Sequence, residues 1–186
     1  MVSVPELWLP ILVASVLVFI VSSIIHVALK YHNSDFAAVP DEDRVQAALR
    51  EFNLPPGDYV IPHACDGKER ESDEFKAKAQ QGPVVFMTVF PEDAFNMKNS
   101  LIQWFLYCIL ISVFAAYVAG VALAPGAYYL SVFRVAGTVA FAGYGLALLQ
   151  NSIWLKKNWA ATGKSVFDSL IYGLVTAGTM GWLWPG

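Results

Sequence analysis

Charge is confined to one part of this chain, and that confinement limits what the chain can fold into. Of its 27 charged residues, 21 lie between Lys30 and Lys98, and long apolar stretches flank this block. A transmembrane helix needs about 20 mainly apolar residues to cross the hydrocarbon core of a bilayer. Four stretches approach or exceed this length, and they span residues 7–29, 101–123, 127–149 and 167–184. The sequence therefore predicts four transmembrane helices, with a polar insertion between the first and the second.

The composition agrees with a membrane protein. Only 15% of the 186 residues are charged, compared with about 25% in an average soluble domain. The first apolar stretch has no basic residue before it and is longer than the core of a signal peptide, so we expect it to be retained as a helix. The net charge of −3 gives no reason to expect nucleic acid as a partner.

Basic residues predict the side of the membrane that each loop occupies, because loops rich in lysine and arginine stay in the cytoplasm. Eight basic residues lie in the polar block, and Lys156, Lys157 and Lys164 precede the fourth stretch. The two ends of the chain and the turn at residues 124–126 contain none. We therefore expect a multi-pass protein of the bacterial inner membrane, with both termini outside and residues 31–99 in the cytoplasm.

The polar block has the pattern of a small α+β module. Acidic residues at 41–43 begin a predicted helix that runs to Phe52 and carries one apolar face. The runs 59–61 and 84–90 are rich in the β-branched and aromatic residues of strands, and 72–79 predicts a second helix. So small a core is thin for independent stability. We expect the module to need the membrane, a second copy or a partner.

These patterns give a domain organisation in three parts. Residues 1–30 form the first transmembrane helix, and residues 31–99 form the cytoplasmic module. Residues 100–186 form a three-helix transmembrane region, with an amphipathic inner loop at 150–166.

His63 and Cys65 are the clearest pair of metal-ligand side chains in the sequence. With His32, which follows the first helix, they would supply nitrogen and sulfur ligands for zinc or copper at the membrane surface. Structural zinc takes four protein ligands, and Asp66 and Glu69 are the nearest oxygen donors. The alternative is an exposed loop with a reduced thiol. We expect no obligatory cofactor, with metal or haem as the alternatives.

Two further residues near the predicted inner surface admit a functional interpretation. His26 lies near the end of the first helix, and haem bound there would need a second axial ligand. No histidine in the other three helices supplies one, so His32 or His63 would have to fold back. Asp168 falls at the predicted start of the fourth helix, one turn from Lys164, where a carboxylate complements the helix dipole. We expect both residues to be structural.

Arg134 is the one charged residue inside a predicted span. Such a residue normally faces the bundle interior or reaches towards the headgroups, so it predicts an anion pathway or a lipid contact. The alternative is pairing with Glu6, with a backbone carbonyl or with a partner subunit.

The connection before the fourth stretch predicts membrane anchoring. Tryptophan and lysine side chains at 154–159 suit anionic lipid headgroups. The residues concerned are Trp154, Lys156, Lys157 and Trp159.

Several stretches together resemble a known kind of protein. They are Gly82-Pro83-Val84 before a strand, KNSLIQWFLYC at 98–108, QNSIW at 150–154 and FDSLIYG at 167–173. The chain resembles a family of small, uncharacterised bacterial inner-membrane proteins. The resemblance implies the localisation and brings no activity or site residue.

No pattern typical of an enzyme is present. No serine has the Gly-x-Ser-x-Gly context, and Gly163-Lys164-Ser165 lacks the upstream glycine of a phosphate loop. The sequence favours a non-enzymatic accessory, assembly or scaffold subunit that acts through the module at 31–99. One alternative is an oligomeric small-solute or lipid transporter or channel that uses Arg134, and another is a metal- or haem-binding redox accessory protein. The expected partners are the lipid bilayer with its anionic headgroups and a protein partner or second copy.

Overall fold

A computed structural model describes all 186 residues and divides them into two compact units. The first unit contains Met1–Ala37 and Lys98–Gly186, and the second contains Ala38–Met97. The second unit contains fewer residues than the predicted module at 31–99, since residues 31–37 belong to the helical unit. The fold is mostly helical, with an α+β insert between the first helix and the next long one, as predicted.

The first helix ends in an irregular segment. A short 3-10 turn, Val4–Leu7, leads into α1 (Trp8–Ser23), which continues as a π-helical segment, Ile24–Ala28. Lys30 then adopts a φ of 54°, which ends the helix, and a 3-10 turn at Tyr31–Ser34 follows. π-helical segments within helices are frequent at functional sites. This one carries His26.

The insert contains the elements that its sequence predicts and one more. It comprises α2 (Glu42–Glu51), β1 (Gly57–Ile61), α3 (Gly67–Glu71), α4 (Asp73–Gln81) and β2 (Val85–Val89). The strands pair antiparallel, with Tyr59 opposite Met87. Ser72 accepts a hydrogen bond from the Phe75 amide and so caps α4, while α3 is not predicted from the sequence. No residue of the insert is fully buried, which confirms the expectation of a thin core.

Four helices complete the first unit: α5 (Met97–Ala122), α6 (Tyr129–Gly145), α7 (Leu149–Trp154) and α8 (Trp159–Trp182). The turn before α6 holds Gly126 at a φ of +72°, a conformation that favours glycine.

Three segments are long and apolar enough to cross a membrane, which indicates a multi-pass membrane protein. They are Val4–Ala28, Met97–Ala122 and Tyr129–Trp154. Helix α8 has 24 residues but is less apolar, so a fourth crossing stays a prediction. It begins at Trp159, eight residues before the predicted start at 167.

Small residues allow α6 and α8 to pack closely along their length. Ala136, Ala140 and Ala177 are fully buried. A Cβ placed on Gly137 would lie 2.8 Å from the Cβ of Ala177, which is closer than the roughly 3.5–4.0 Å of carbon atoms in contact. The small residues of α6 and α8 therefore form a helix-packing surface, as is common between membrane helices.

Candidate metal centre

Polar side chains from three segments meet where the first helix ends and the early turns of α8 pass. We call them the His–Asp cluster, and all belong to the first unit. The cluster consists of His26, Tyr31, His32, Asp35, Lys164 and Asp168.

His32 lies between two carboxylates. Its Nδ1 is 2.5 Å from an oxygen of Asp35, and its Nε2 is 2.7 Å from Oδ2 of Asp168. The three side chains are largely withdrawn from solvent, with exposed fractions of 16% for His32, 11% for Asp35 and 3% for Asp168. Contacts made so far from bulk water hold the imidazole in one orientation.

Asp35 is held as a carboxylate. Lys164 Nζ donates a hydrogen bond of 2.7 Å to its Oδ1, and the same ammonium donates to the Tyr31 carbonyl and the Ser34 hydroxyl. Hydrogen bonds from Lys164 and then His32 lower the pKa of Asp35 below its usual value. An ionised carboxylate only accepts, so the hydrogen of His32 lies on Nδ1. In the neutral ring, Nε2 then accepts the hydrogen that it shares with Oδ2 of Asp168 across 2.7 Å.

The orientation of the His26 ring and the position of its hydrogen are fixed in a similar way. Its ring stacks on His32 with centroids 4.7 Å apart and planes within 3°. Its Nδ1 is 2.9 Å from the Ser22 carbonyl oxygen, which accepts only, so Nδ1 carries the hydrogen. The free nitrogen of His26 is therefore Nε2.

Asp168 supplies the carboxylate of the cluster. Tyr31 donates its hydroxyl hydrogen to Oδ1, which leaves Oδ2 facing His32. The residue lies nine positions beyond the first residue of α8, in the third turn of that helix. The interpretation of Asp168 as an N-terminal helix carboxylate is therefore wrong, because α8 starts earlier than the sequence suggests.

His26, His32 and Asp168 are a candidate metal-ligand set. One ligand atom from each lies within 4.8 Å of those of the other two. Metal–nitrogen and metal–oxygen bonds of about 2.0–2.2 Å would require the 2.7 Å contact between His32 and Asp168 to widen, and one of the two parallel imidazole rings to turn so that the planes of both rings contain the ion. Two histidines and one carboxylate are a common set for zinc and for non-haem iron.

Each of the three ligands also has the outer partner that metal ligands commonly have. Metal-bound histidines usually donate their other ring N–H to a carboxylate or a backbone carbonyl. His32 donates to Asp35, and His26 donates to the Ser22 carbonyl. Ser22 is itself positioned, since its hydroxyl accepts a hydrogen bond of 2.8 Å from Trp104 Nε1.

A cavity of about 520 Å³ opens beside both histidines. Its wall includes Phe36, Asn151 and Lys157 in addition to His26 and His32. A metal ion held by three protein ligands keeps positions for water or a small ligand, and the cavity gives access to them.

The structure gathers one group of three or more metal-ligand side chains, and it differs from the set predicted from the sequence. His32 belongs to both sets. His63 and Cys65 lie in the insert, where Cys65 is exposed, and His32 lies in the helical unit. A metal-binding role for His63 and Cys65 stays a prediction.

The other predicted residues lie on the surface of the helical unit. Trp154, Lys156, Lys157 and Trp159 are exposed around the break between α7 and α8. Their anchoring role stays a prediction. Arg134 is exposed on α6.

Sequence reasoning considered His26, His32 and Asp168 but did not bring them together. It missed the parts played by Tyr31, Asp35 and Ser22. The spacing of Asp35 three residues after His32 is a local signal for that pair, whereas Asp168 is 136 positions from His32.

Comparisons with protein-family models, with curated proteins and with solved structures each found no match for this chain. The resemblance to small bacterial inner-membrane proteins therefore stays a prediction.

Proposed function

We propose that this protein is a membrane metalloprotein that binds one divalent transition-metal ion through His26, His32 and Asp168. The observation that carries the proposal is the meeting of three ligand atoms, one from each residue, within 4.8 Å of one another. Each imidazole has its Nδ1–H directed to an acceptor, which leaves Nε2 as the ligand atom.

The donor set limits the class of ion. Imidazole suits zinc, iron, nickel and copper, whereas calcium and magnesium prefer all-oxygen sites. No sulfur lies in the cluster, which disfavours copper(I). Zinc(II) and iron(II) therefore fit best. A bound ion would replace the proton that His32 Nε2 and Asp168 Oδ2 share across 2.7 Å.

Three protein ligands beside an open cavity suit an exchangeable ion more than a purely structural one, which takes four. Water or a small ligand in the cavity would complete the coordination. We propose metal binding, and this agrees with the metal-binding accessory protein that the sequence offers as an alternative.

The experiment is metal loading of the detergent-purified protein. After chelation and reloading with zinc(II), and separately with cobalt(II) as a spectroscopic substitute, elemental analysis of the desalted protein gives the number of ions per chain. We expect one ion in the wild type and a loss of binding in His26→Ala, His32→Ala and Asp168→Asn. Elution as a sharp peak in size-exclusion chromatography checks that each variant is folded.

The chain provides its own matched control, because its third histidine lies in the insert. His63→Ala and Cys65→Ser should bind as the wild type does. Loss of the ion in those two variants, with retention in His26→Ala, would replace our centre with the one predicted from the sequence.

A specific observation also favours the accessory-subunit hypothesis. The apolar face of α2 stays exposed in the insert, with exposed fractions of 40% at Val45, 43% at Leu49 and 70% at Phe52. Such a face on a unit with no fully buried residue suits a docking role. Native mass spectrometry of gently extracted protein tests it, and a lone monomer for both wild type and Phe52→Glu would contradict it.

A further inference from the structure

A second cavity lies in the groove between α6 and α8, separate from the His–Asp cluster. It has a volume of about 240 Å³. Apolar walls come from residues such as Phe133 and Leu174, and Arg134 and Thr138 line it from α6. The groove is therefore an apolar channel with a single cationic group.

Glycines form the floor of this groove. A Cβ on Gly173 would lie 3.1 Å from the Cβ of Phe141, so no side chain fits at that position without displacing its neighbour. Gly137 is similarly pressed against Ala177. The backbones approach closely at these points, and the larger side chains on either side rise as walls. The mostly apolar lining suits an apolar chain.

Arg134 has no partner within the protein. It is exposed, and it makes no hydrogen bond or ion pair. It is also the only charged residue in the candidate span Tyr129–Trp154. A charged side chain at membrane depth normally pairs with an opposite charge. An anion from outside this chain would supply that partner.

The depth of Arg134 places that anion near the headgroups. Arg134 lies five residues from the start of α6, which corresponds to about 7.5 Å of helix rise. The long arginine side chain can reach the interface from this depth. A guanidinium also matches the geometry of a phosphate, to which it donates two parallel hydrogen bonds.

A second copy of this chain is a poorer source of the anion. Only two acidic residues lie outside the polar block, Glu6 and Asp168. Glu6 accepts a hydrogen bond of 3.0 Å from the Ser3 amide, and Asp168 is buried in the His–Asp cluster. Asp168 is therefore not available to Arg134 of another copy, and Glu6, which is exposed, is the acidic residue that a dimer would use.

We propose that the groove binds one phospholipid molecule, with its phosphate on Arg134 and an acyl chain lying between α6 and α8. The apolar groove and the unpaired guanidinium match the two ends of such a molecule. This inference is independent of the metal centre, and either can fail without the other.

The test is retention of lipid by the purified protein. After extensive washing in detergent, lipid extraction and mass spectrometry count the phospholipids bound per chain. We expect about one per chain in the wild type, in keeping with a single groove, and a loss in Arg134→Gln, which removes the charge. Thr138→Phe should also lose the lipid, because the ring fills the groove and leaves Arg134 in place.

The matched control is Val118→Phe, which adds the same ring to an exposed position on α5. It should retain the lipid. Thermal unfolding of all variants checks that the fold is intact. Equal retention in the wild type, Arg134→Gln and Thr138→Phe would overturn the proposal.

Adding defined ligands back to delipidated protein separates the sources of phosphate. We expect rebinding of phosphatidylglycerol and phosphatidylcholine, and no rebinding of diacylglycerol, which lacks the phosphate. Displacement of the lipid by millimolar inorganic phosphate would mean that the acyl chain contributes nothing, and it would overturn the groove assignment. A dimer that Arg134→Gln dissociates, with no lipid in either form, would assign the arginine to a second copy instead.

Discussion

Asp35 is a positioning residue for the proposed metal ligands. It contacts His32 rather than the ion, and its charge holds the hydrogen of that imidazole on Nδ1. Lys164 in turn fixes Asp35 from the other side. A row of four contacting side chains therefore runs through the cluster, and each one orients the next. In order, they are Lys164, Asp35, His32 and Asp168.

An Asp35→Asn substitution tests this row, because it replaces a single carboxylate oxygen with an amide nitrogen. We expect Asp35→Asn to weaken the affinity for zinc about 10–100-fold, as is usual when the outer partner of a metal ligand is removed. Competition with a chromophoric chelator measures the affinity. The control is Asp41→Asn, in the insert, which should leave it unchanged. An unaltered affinity in Asp35→Asn would show that His32 does not need this partner.

Asp35 also makes the stability of the fold depend on pH in the acidic range. Because Lys164 and His32 lower the folded-state pKa of Asp35 below 3.8, these contacts stabilise the protein above pH 3.8. The stabilisation is lost as the pH falls through the lower, folded-state pKa, because the carboxylate then binds a proton.

We therefore expect the unfolding temperature of the wild type to fall below about pH 4 more steeply than that of Asp35→Asn. Thermal unfolding followed by circular dichroism, without metal, measures both. Parallel curves across the whole range would contradict the role of Asp35.

At the residue scale, the sequence predicts some members of the centre but not their grouping. It singles out His32 as a ligand and groups it with His63 and Cys65, the nearest metal-ligand types along the chain. In the structure His32 contacts Asp168, which comes from a helix 136 residues away. Only the packing of the first helix against α8 brings the two together.

At the scale of elements, glycines decide how closely α6 and α8 approach. Gly137 faces Ala177 at a distance that leaves no room for a methyl group, whereas Gly163 in α8 has no atom within 4 Å of the position that a Cβ would take. The two glycines are in helices but in opposite environments.

We expect Gly137→Ala to destabilise the protein by about 1–3 kcal/mol, because the added methyl group forces the helices apart. Gly163→Ala should stabilise it by about 0.5–1 kcal/mol, since alanine favours the helix and meets no neighbour. Unfolding in mixed detergent micelles measures both free energies. Equal effects of the two substitutions would mean that the α6–α8 contact is looser than the structure indicates.

The start of α8 shows why helix limits are harder to predict than helices. Lys164 and Asp168 make the region before residue 167 look like a polar loop. Lys164 is paired with Asp35 and Asp168 is hydrogen-bonded to His32, and the helix continues through both from Trp159. The insert shows the opposite case, because Ser72 and the acidic residues after it mark the start of α4 in the sequence itself.

At the scale of the whole molecule, the two units differ in how many charged residues they contain and in how many side chains they bury. The helical unit buries small residues and hydroxyl groups, and Ser15 donates to the Ser112 hydroxyl across α1 and α5 at 3.2 Å. The insert buries almost nothing and carries most of the charge. A division of this kind follows directly from composition along the chain, which is why the sequence predicts it well.

Orientation in the membrane is a property of the whole molecule that its two cysteines report. Cys65 is exposed in the insert, and Cys108 is fully buried in α5. The basic residues of the polar block predict that the insert stays in the cytoplasm. A membrane-impermeant maleimide should therefore leave intact spheroplasts unlabelled and label Cys65 in inverted membrane vesicles. Cys65→Ser should be unlabelled in both preparations, because Cys108 has no access to the reagent.

A cysteine introduced at the opposite end of the first helix tests the other side of the membrane. Ser3 is exposed, so Ser3→Cys in the Cys65→Ser background should be labelled in intact spheroplasts. Labelling of Cys65 from outside, with Ser3→Cys protected, would invert the predicted topology. The His–Asp cluster follows the last turn of the first helix, so it would move with the insert to the outer surface. The same two labelling patterns therefore identify the compartment whose metal ions reach the proposed centre.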